Sequence, residues 1–270
     1  MSDSRIRTAV ADGVLEVTLD RPEKRNALDD ATIAEVKLAL ERAAADDAAH
    51  VVLLRGEGKD FCAGVDLSQL ERIAAEAGPL ENLHDAASLG ALFTAMRHLP
   101  KPIVAAVQGH AFAGGAGLAT ACDIVLAADD AVFGYPEVHL GFVPAMVMAL
   151  LRRTSSEKIA FELAARGDHI TATEARAYGL VNRLFPPDTL EADAREYARE
   201  LATRSPSALA LIKRLLYGID GLSFDDAIAR GAEVNALARL TPDCREGVRR
   251  FLESRRAATR PGSPAPSPES

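Results

Sequence analysis

The chain has no tryptophan, only 5% aromatic residues and only three cysteines among its 270 residues. Cys62, Cys122 and Cys244 stand far apart, and two of them sit in apolar runs. That usage argues against a disulfide framework and for reduced thiols in a cytoplasmic protein. No apolar run approaches the roughly 18 residues of a membrane span. The opening Met1-Ser2-Asp3-Ser4 lacks the basic-then-apolar pattern of a signal peptide. Positive charge is scarce too: 31 Lys and Arg against 39 Asp and Glu leave a net charge of −8. No basic stripe interleaved with aromatics appears, so nucleic acid is not an expected partner. His and Cys do not cluster, and no metal site is expected. What remains is a chain of 48% hydrophobic residues, able to bury a large core as one domain or as a domain with a helical extension.

Local patterns are mostly regular. Leu15, Val17 and Leu19 alternate with polar residues as in a half-buried strand. Asp29 or Asp30 can cap a helix that carries Ile33, Val36 and Leu40 on one face. The stretch from Leu70 to Leu89 mixes charge with Gly78 and Pro79 and reads as a mobile link between helices. Thr171 to Glu174 fits a capping box, with Gly179 stopping that helix. From Leu190 on the pattern is nearly all helical, Pro242 opens the last helix, and residues 257–270 form a Pro/Ser-rich tail read as disordered.

Two glycine-bearing loops carry the chemistry. Ile103 to Val107 reads as a buried strand, and Gly109 to Asp123 follows it as a glycine-rich turn running into a helix. Bare N–H groups at the positive end of a helix dipole suit an anion, either a phosphate or a developing oxyanion. No Walker lysine follows, which argues against a P-loop. A second strand over residues 50–55 breaks at Gly56 and leads to Phe61-Cys62-Ala63-Gly64-Val65-Asp66-Leu67.

Together with Arg21-Pro22-Glu23-Lys24-Arg25-Asn26-Ala27-Leu28 and Phe133-Gly134-Tyr135-Pro136-Glu137, these segments resemble the crotonase superfamily of enoyl-CoA hydratases and isomerases, in order and in spacing, over residues 10–255. The resemblance implies a mixed α/β fold, a spiral of ββα units with two roughly perpendicular sheets over 1–190. A helical oligomerisation region over 191–256 would then make trimers or hexamers through faces that include Leu209, Ile212, Leu215, Leu216, Val234 and Leu237. It also implies an acyl-CoA substrate and no separate cofactor, coenzyme A being part of the substrate.

By the same resemblance, the N–H groups of Ala63 and Gly114 form the oxyanion hole. Coenzyme A is expected along Arg25, Ala27, Leu28, Ala63, Gly64, Val65, Asp66, Leu67, Gly114 and Pro136, with Phe251, Arg255 and Arg256 as outer contacts. For Asp66 a helix cap is the stronger reading. Glu137 matches the second of the two glutamates of a hydratase, whereas the first position is Gly117. Ala145 replaces the aspartate of dienoyl-CoA isomerases and of a dehalogenase. Small residues at Ala113, Ala116 and Gly117 suggest room around the α and β carbons. A single carboxylate suits reversible hydration of a 2-enoyl-CoA, or double-bond migration from the 3 to the 2 position. Glu81, His84 or Asp85 remain as sources of a second group. A non-catalytic acyl-CoA binder is the reading from a different class.

Overall fold

A computed structural model describes residues 4–76 and 78–258. The chain divides into two compact units, Met1–Thr203 and Arg204–Ser270. The first unit opens with β1 (Ile6–Ala11) and β2 (Val14–Leu19), then α1 (Asp30–Ala45) and β3 (Val51–Gly56). Next come α2 (Leu67–Glu76), α3 (Pro79–His98), β4 (Ile103–Val107), β5 (His110–Phe112) and α4 (Gly114–Thr120). β6 (Ile124–Ala128), β7 (Val132–Gly134), α5 (Ala145–Thr154), α6 (Glu157–Arg166) and β8 (His169–Thr171) follow. The unit closes with α7 (Ala172–Ala177), β9 (Arg183–Phe185) and α8 (Leu190–Ala202).

The large sheet has the order β1-β2-β3-β4-β6-β9, antiparallel only between β1 and β2. Its middle strands are buried on both faces, every residue of β4 included, which is why they read as unbroken apolar runs. The small sheet has the order β5-β7-β8. An isolated parallel bridge between Cys62 and Ala111 extends it to the loop after β3. The chain thus repeats one path: a strand in the large sheet, a short pairing in the small sheet, then helix. This is the spiral of ββα units expected from the sequence.

Local signals placed several elements correctly. Asp29 caps α1 by accepting the Thr32 N–H, and Thr171 and Glu174 form the full capping box of α7. The stretch 70–89 is a correction. It is helical on both sides of residue 77, because Pro79 sits at the first position of α3 after an extended Gly78, where its missing N–H costs nothing. The first unit also runs past the expected boundary at 190. In α8, Leu190, Ala194, Ala198 and Ala202 are buried, and the helix packs on β2, β3, β4 and β6.

The second unit holds α9 (Pro206–Gly218), α10 (Phe224–Leu240) and α11 (Pro242–Ala258). Asp243 accepts hydrogen bonds from the hydroxyls of Ser205 (2.6 Å) and Ser207 (2.8 Å), fastening the start of α9 to the first turn of α11. Val234 is buried, whereas Ile212, Leu216, Phe224, Ile228, Leu237 and Leu240 are exposed. The Arg255 guanidinium lies 5.4 Å from the centre of the Phe251 ring. The expected disordered tail lies outside the described residues except for Ala257 and Ala258 at the end of α11.

Candidate active site

Two backbone N–H groups converge where the loop after β3 meets the start of α4. The loop crosses the Arg21–Leu28 segment as a one-residue parallel bridge: Leu28 N–H donates to Gly64 O (2.7 Å), and Asp66 N–H donates to Leu28 O (3.0 Å). In such a bridge the intervening residue, Val65, directs its own N–H away from its partner strand. Gly114, first residue of α4, has no acceptor inside its helix. Among the described residues neither N–H finds another acceptor. They belong to one place: a Cβ on Gly114 would lie 3.7 Å from Val65 Cγ2, and one on Gly64 would lie 3.4 Å from Gly114 N.

The assignment of Ala63 is corrected by the same geometry. Its N–H donates to Arg25 O at 2.9 Å and is therefore engaged. Ala113 precedes the helix at φ 48°, ψ −123°, a conformation usual only for glycine. Two hydrogen bonds hold it there, Ala113 N–H to Gly134 O and Gly117 N–H to Ala113 O, both 2.9 Å.

Glu137 comes from a third segment. It follows β7, whose Gly134 pairs with Phe112, and it lies in a one-turn 3-10 helix, Pro136–Leu140. Pro136 sets that turn, and a Cβ on Gly167 would lie 3.2 Å from Pro136 Cα. Tyr135 is fully buried and its hydroxyl meets Thr120 Oγ1 on α4 at 2.9 Å. The segment carrying Glu137 is therefore pinned to α4 at both ends, at Ala113 through Gly134 and at Thr120 through Tyr135. Glu137 Oε2 is buried without a hydrogen-bond partner, and burial pushes the carboxyl pKa up from its ordinary value.

The walls are apolar. Leu89 from α3 and Leu28 face Gly114, at 3.5 and 3.8 Å from the place of a Cβ. At Gly117 a Cβ would stand 2.5 Å from Val147 Cγ2 on α5 and 3.0 Å from Phe93 Cζ on α3. The room expected around Ala113, Ala116 and Gly117 is thus filled at Gly117. Cys62 is fully buried, and burial pushes its thiol up to about 12, so it packs rather than reacts.

The remaining expected residues fall into two groups. Ala27 O accepts from Arg21 Nη1 (2.7 Å), and Asp66 is a cap and ion-pair partner. Its carboxylate takes the Ser68 hydroxyl (2.7 Å) and Ser68 N–H (3.0 Å) and lies 3.0 Å from Arg21 Nη2. The side chain of Asp66 is thereby engaged within the protein. Arg25 is half exposed, with Nε donating to Asp60 at 2.8 Å, and Leu67 is exposed at the start of α2. Among the suggested second acids, Glu81 pairs with Arg72, Asp85 accepts from Gln69, and His84 is exposed. The sequence did not show that the Val65 N–H is unengaged, nor that Leu89, Phe93 and Val147 line Gly114 and Gly117. The 3.6-residue spacing of Leu89, Phe93 and Met96 would have marked the buried face of α3.

Two N–H groups without an acceptor among the described residues, and a buried carboxylate without a hydrogen-bond partner, are groups of the kind that enolate chemistry uses. The sequence model described as "Enoyl-CoA hydratase/isomerase" matches residues 9–259, and the chain belongs to that family. A Thermus thermophilus relative, provisionally named an enoyl-CoA hydratase, is 43% identical over 90% of this chain and 95% of its own. The 2,3-dehydroadipyl-CoA hydratase of Escherichia coli is 34% identical over 90% and 93%. The solved enoyl-CoA hydratase of Mycobacterium smegmatis superposes with a TM-score of 0.88 at 30% identity, covering 93% of this chain and 96% of that one.

Proposed function

We propose that the protein is an enoyl-CoA hydratase in which Glu137 alone serves as base and then as acid. The carrying observation is the buried, unpaired Oε2 of Glu137 together with the unengaged N–H groups of Val65 and Gly114. The thioester oxygen sits between Val65 N–H and Gly114 N–H. The Glu137 carboxylate takes a proton from water as the water oxygen bonds to the β carbon. The charge passes to the thioester oxygen as an enolate, which the two donors stabilise by a few kcal/mol each. Glu137 then returns the proton to the α carbon, so water is added across the double bond and the carboxylate is restored. The raised pKa of Glu137 suits both halves, since proton transfer is most effective when the pKa lies near the working pH.

Coenzyme A enters as part of the substrate, along the bridge of Leu28 and Val65, with the half-exposed Arg25 toward its phosphates. The exposed apolar residues of α9–α11 support assembly with further copies of the chain as a trimer or hexamer. Cys62, Cys122 and Cys244, none of them in a disulfide among the described residues, support a cytoplasmic setting. The test is hydration of crotonyl-CoA by the protein and by Glu137→Gln, with deuterium exchange at the α carbon of a saturated acyl-CoA as a second readout. Hydration and exchange, both lost in the variant, are expected. Coenzyme A binding without either reaction would make the protein a binder, and turnover of a 3-enoyl-CoA alone would make it an isomerase.

A further inference from the structure

From the close packing of Phe93 and Val147 at Gly117 we infer that these two side chains are the stop that restricts the site to short acyl chains. The inference rests on the reading of Val65 and Gly114 as the oxyanion donors. On that reading α4 is the floor of the site: its first N–H holds the thioester oxygen, and Gly134 and Tyr135, which lead into Glu137, are fixed to Ala113 and Thr120 at its two ends. The inferred path of an acyl chain leaving the donors is along α4.

The next α4 residue to face α3 and α5 is Gly117, and the space above it is taken. A Cβ there would stand 2.5 Å from Val147 Cγ2 and 3.0 Å from Phe93 Cζ. One turn back on α3, Leu89 stands over Gly114, and a Cβ on Gly90 would lie 3.3 Å from Met146 Cγ on α5. Met146 of α5 thus packs close to the α3 backbone at Gly90. Three residues of helix rise about 4.5 Å, a little more than the roughly 3.9 Å that three zigzag carbon–carbon bonds of about 1.5 Å span. A four-carbon enoyl group fills that distance, and a longer straight chain meets the Phe93 ring and the Val147 methyls. Both groups are buried in the core, Phe93 at 5% exposure and Val147 at 2%, so neither swings aside into solvent.

The experiment compares kcat/KM for crotonyl-, octenoyl- and dodecenoyl-CoA in the wild type, Phe93→Leu and Val147→Ala. Circular dichroism and thermal melts verify folding, and the two modest truncations guard against a single variant failing to fold. The wild type is expected to favour crotonyl-CoA over octenoyl-CoA by at least about tenfold. Each truncation should raise the octenoyl-to-crotonyl ratio by about tenfold, the effect of one or two methylenes' worth of room in an apolar pocket. Equal turnover of all three esters by the wild type, or an unchanged ratio in both folded variants, would overturn the stop. If no ester is hydrated, the hydratase reading fails separately, and the stop is decided by calorimetry with butyryl- and dodecanoyl-CoA. Tighter binding of butyryl-CoA, reversed in Phe93→Leu, upholds it, and equal affinities refute it.

Discussion

Leu28 and Val65 form a parallel bridge of a single residue, and that bridge leaves the Val65 N–H without a partner on the Leu28 side. Leu28 takes both neighbours of Val65, through Gly64 O and Asp66 N, and the N–H between them has no acceptor among the described residues. A strand edge that pairs on one side only and a helix terminus thus leave open the two N–H groups to which we assign the oxyanion.

Gly114 and Gly115 separate the chemistry of this turn from its packing. A Cβ on Gly114 meets nothing closer than 3.5 Å, so Gly114→Val should fold while crowding and tilting the donor pair. Turnover is expected to fall about 100-fold, as when one oxyanion donor is lost. At Gly115 a Cβ would lie 2.3 Å from Cys62 O, a backbone atom that cannot move aside, so Gly115→Ala should destabilise the fold by more than about 2 kcal/mol. Urea unfolding of both variants alongside steady-state rates is the measurement, and wild-type turnover in folded Gly114→Val would remove that donor from the mechanism.

Much of this architecture was legible in the sequence wherever the signal is local. Caps at Asp29 and Thr171, the apolar runs of β3 and β4, and the glycine-rich start of α4 each depend on neighbours within one turn or strand. The unengaged N–H of Val65 was not legible because it follows from the bridge to Leu28, which lies far off in sequence. Gly117 looked like open space because a missing side chain says nothing about Phe93 and Val147, which enter from two other helices. Gly78 and Pro79 suggested a loop, although the same pair also marks a helix start. The three-residue strands β5, β7, β8 and β9 are too short to show any period.

Gly117 has an ordinary helical backbone, so replacing it with alanine should gain helix propensity worth about 1 kcal/mol. The observed contact reverses that sign. With Val147 Cγ2 at 2.5 Å and Phe93 Cζ at 3.0 Å from the new methyl, Gly117→Ala should lose about 1–3 kcal/mol through overpacking. Gly117→Glu should lose more, because it also buries a carboxylate between apolar groups. Adding Val147→Ala to Gly117→Ala should recover part of the loss, giving a favourable coupling in a double-mutant cycle. Additive effects of the two changes would deny the contact.

Glu16 holds Arg55 at 2.6 Å and Arg195 at 2.8 Å, tying α8 to the large sheet. Hydrogen bonding to Arg195 is the largest influence on its carboxyl, followed by burial acting the other way and then Arg55, and the pKa is lowered to about 2. A depressed carboxyl contributes stability above its unfolded value, near 4.5, and loses it as pH falls through about 2. Glu16→Gln should therefore destabilise the protein at neutral pH, on the order of 2 kcal/mol given that Arg195 is partly solvated. The gap to wild type should close between about pH 4.5 and pH 2, as read by urea titrations at several pH values. A gap that persists at the acid end would assign the loss to packing.

Ala113 occupies φ 48°, ψ −123°, where a Cβ is strained by about 1–3 kcal/mol. Ala113→Gly relieves that strain and loosens the unfolded chain by about 0.4–1 kcal/mol, so a net gain near 1 kcal/mol is expected. In a chain of this size that corresponds to a melting point higher by about 3 °C. The two hydrogen bonds through Ala113 remain, so Gly114 N–H keeps its aim and turnover should stay within about threefold. A lower melting point would mean that the Ala113 methyl contributes more by packing than it loses in strain.

Glu137 links activity and stability through one titration. Burial raises its folded pKa, so between its ordinary value and the raised one the folded protein holds a proton that the unfolded chain has released. Stability therefore falls as pH rises through that window and stays reduced above it. Glu137→Gln has no such loss and should be the more stable protein at neutral pH, with the difference vanishing below about pH 4, the ordinary range of a glutamate. Water activation needs the carboxylate, so kcat/KM should rise with pH through the same raised pKa, and the isosteric amide should lower the rate by at least about 100-fold. The wild-type activity limb should be centred where the stability difference between the two proteins stops growing, since both mark the folded pKa, measured by initial rates and by thermal melts across pH. An acid limb that survives in Glu137→Gln, or an activity limb centred away from that levelling point, would assign the proton transfer to another group.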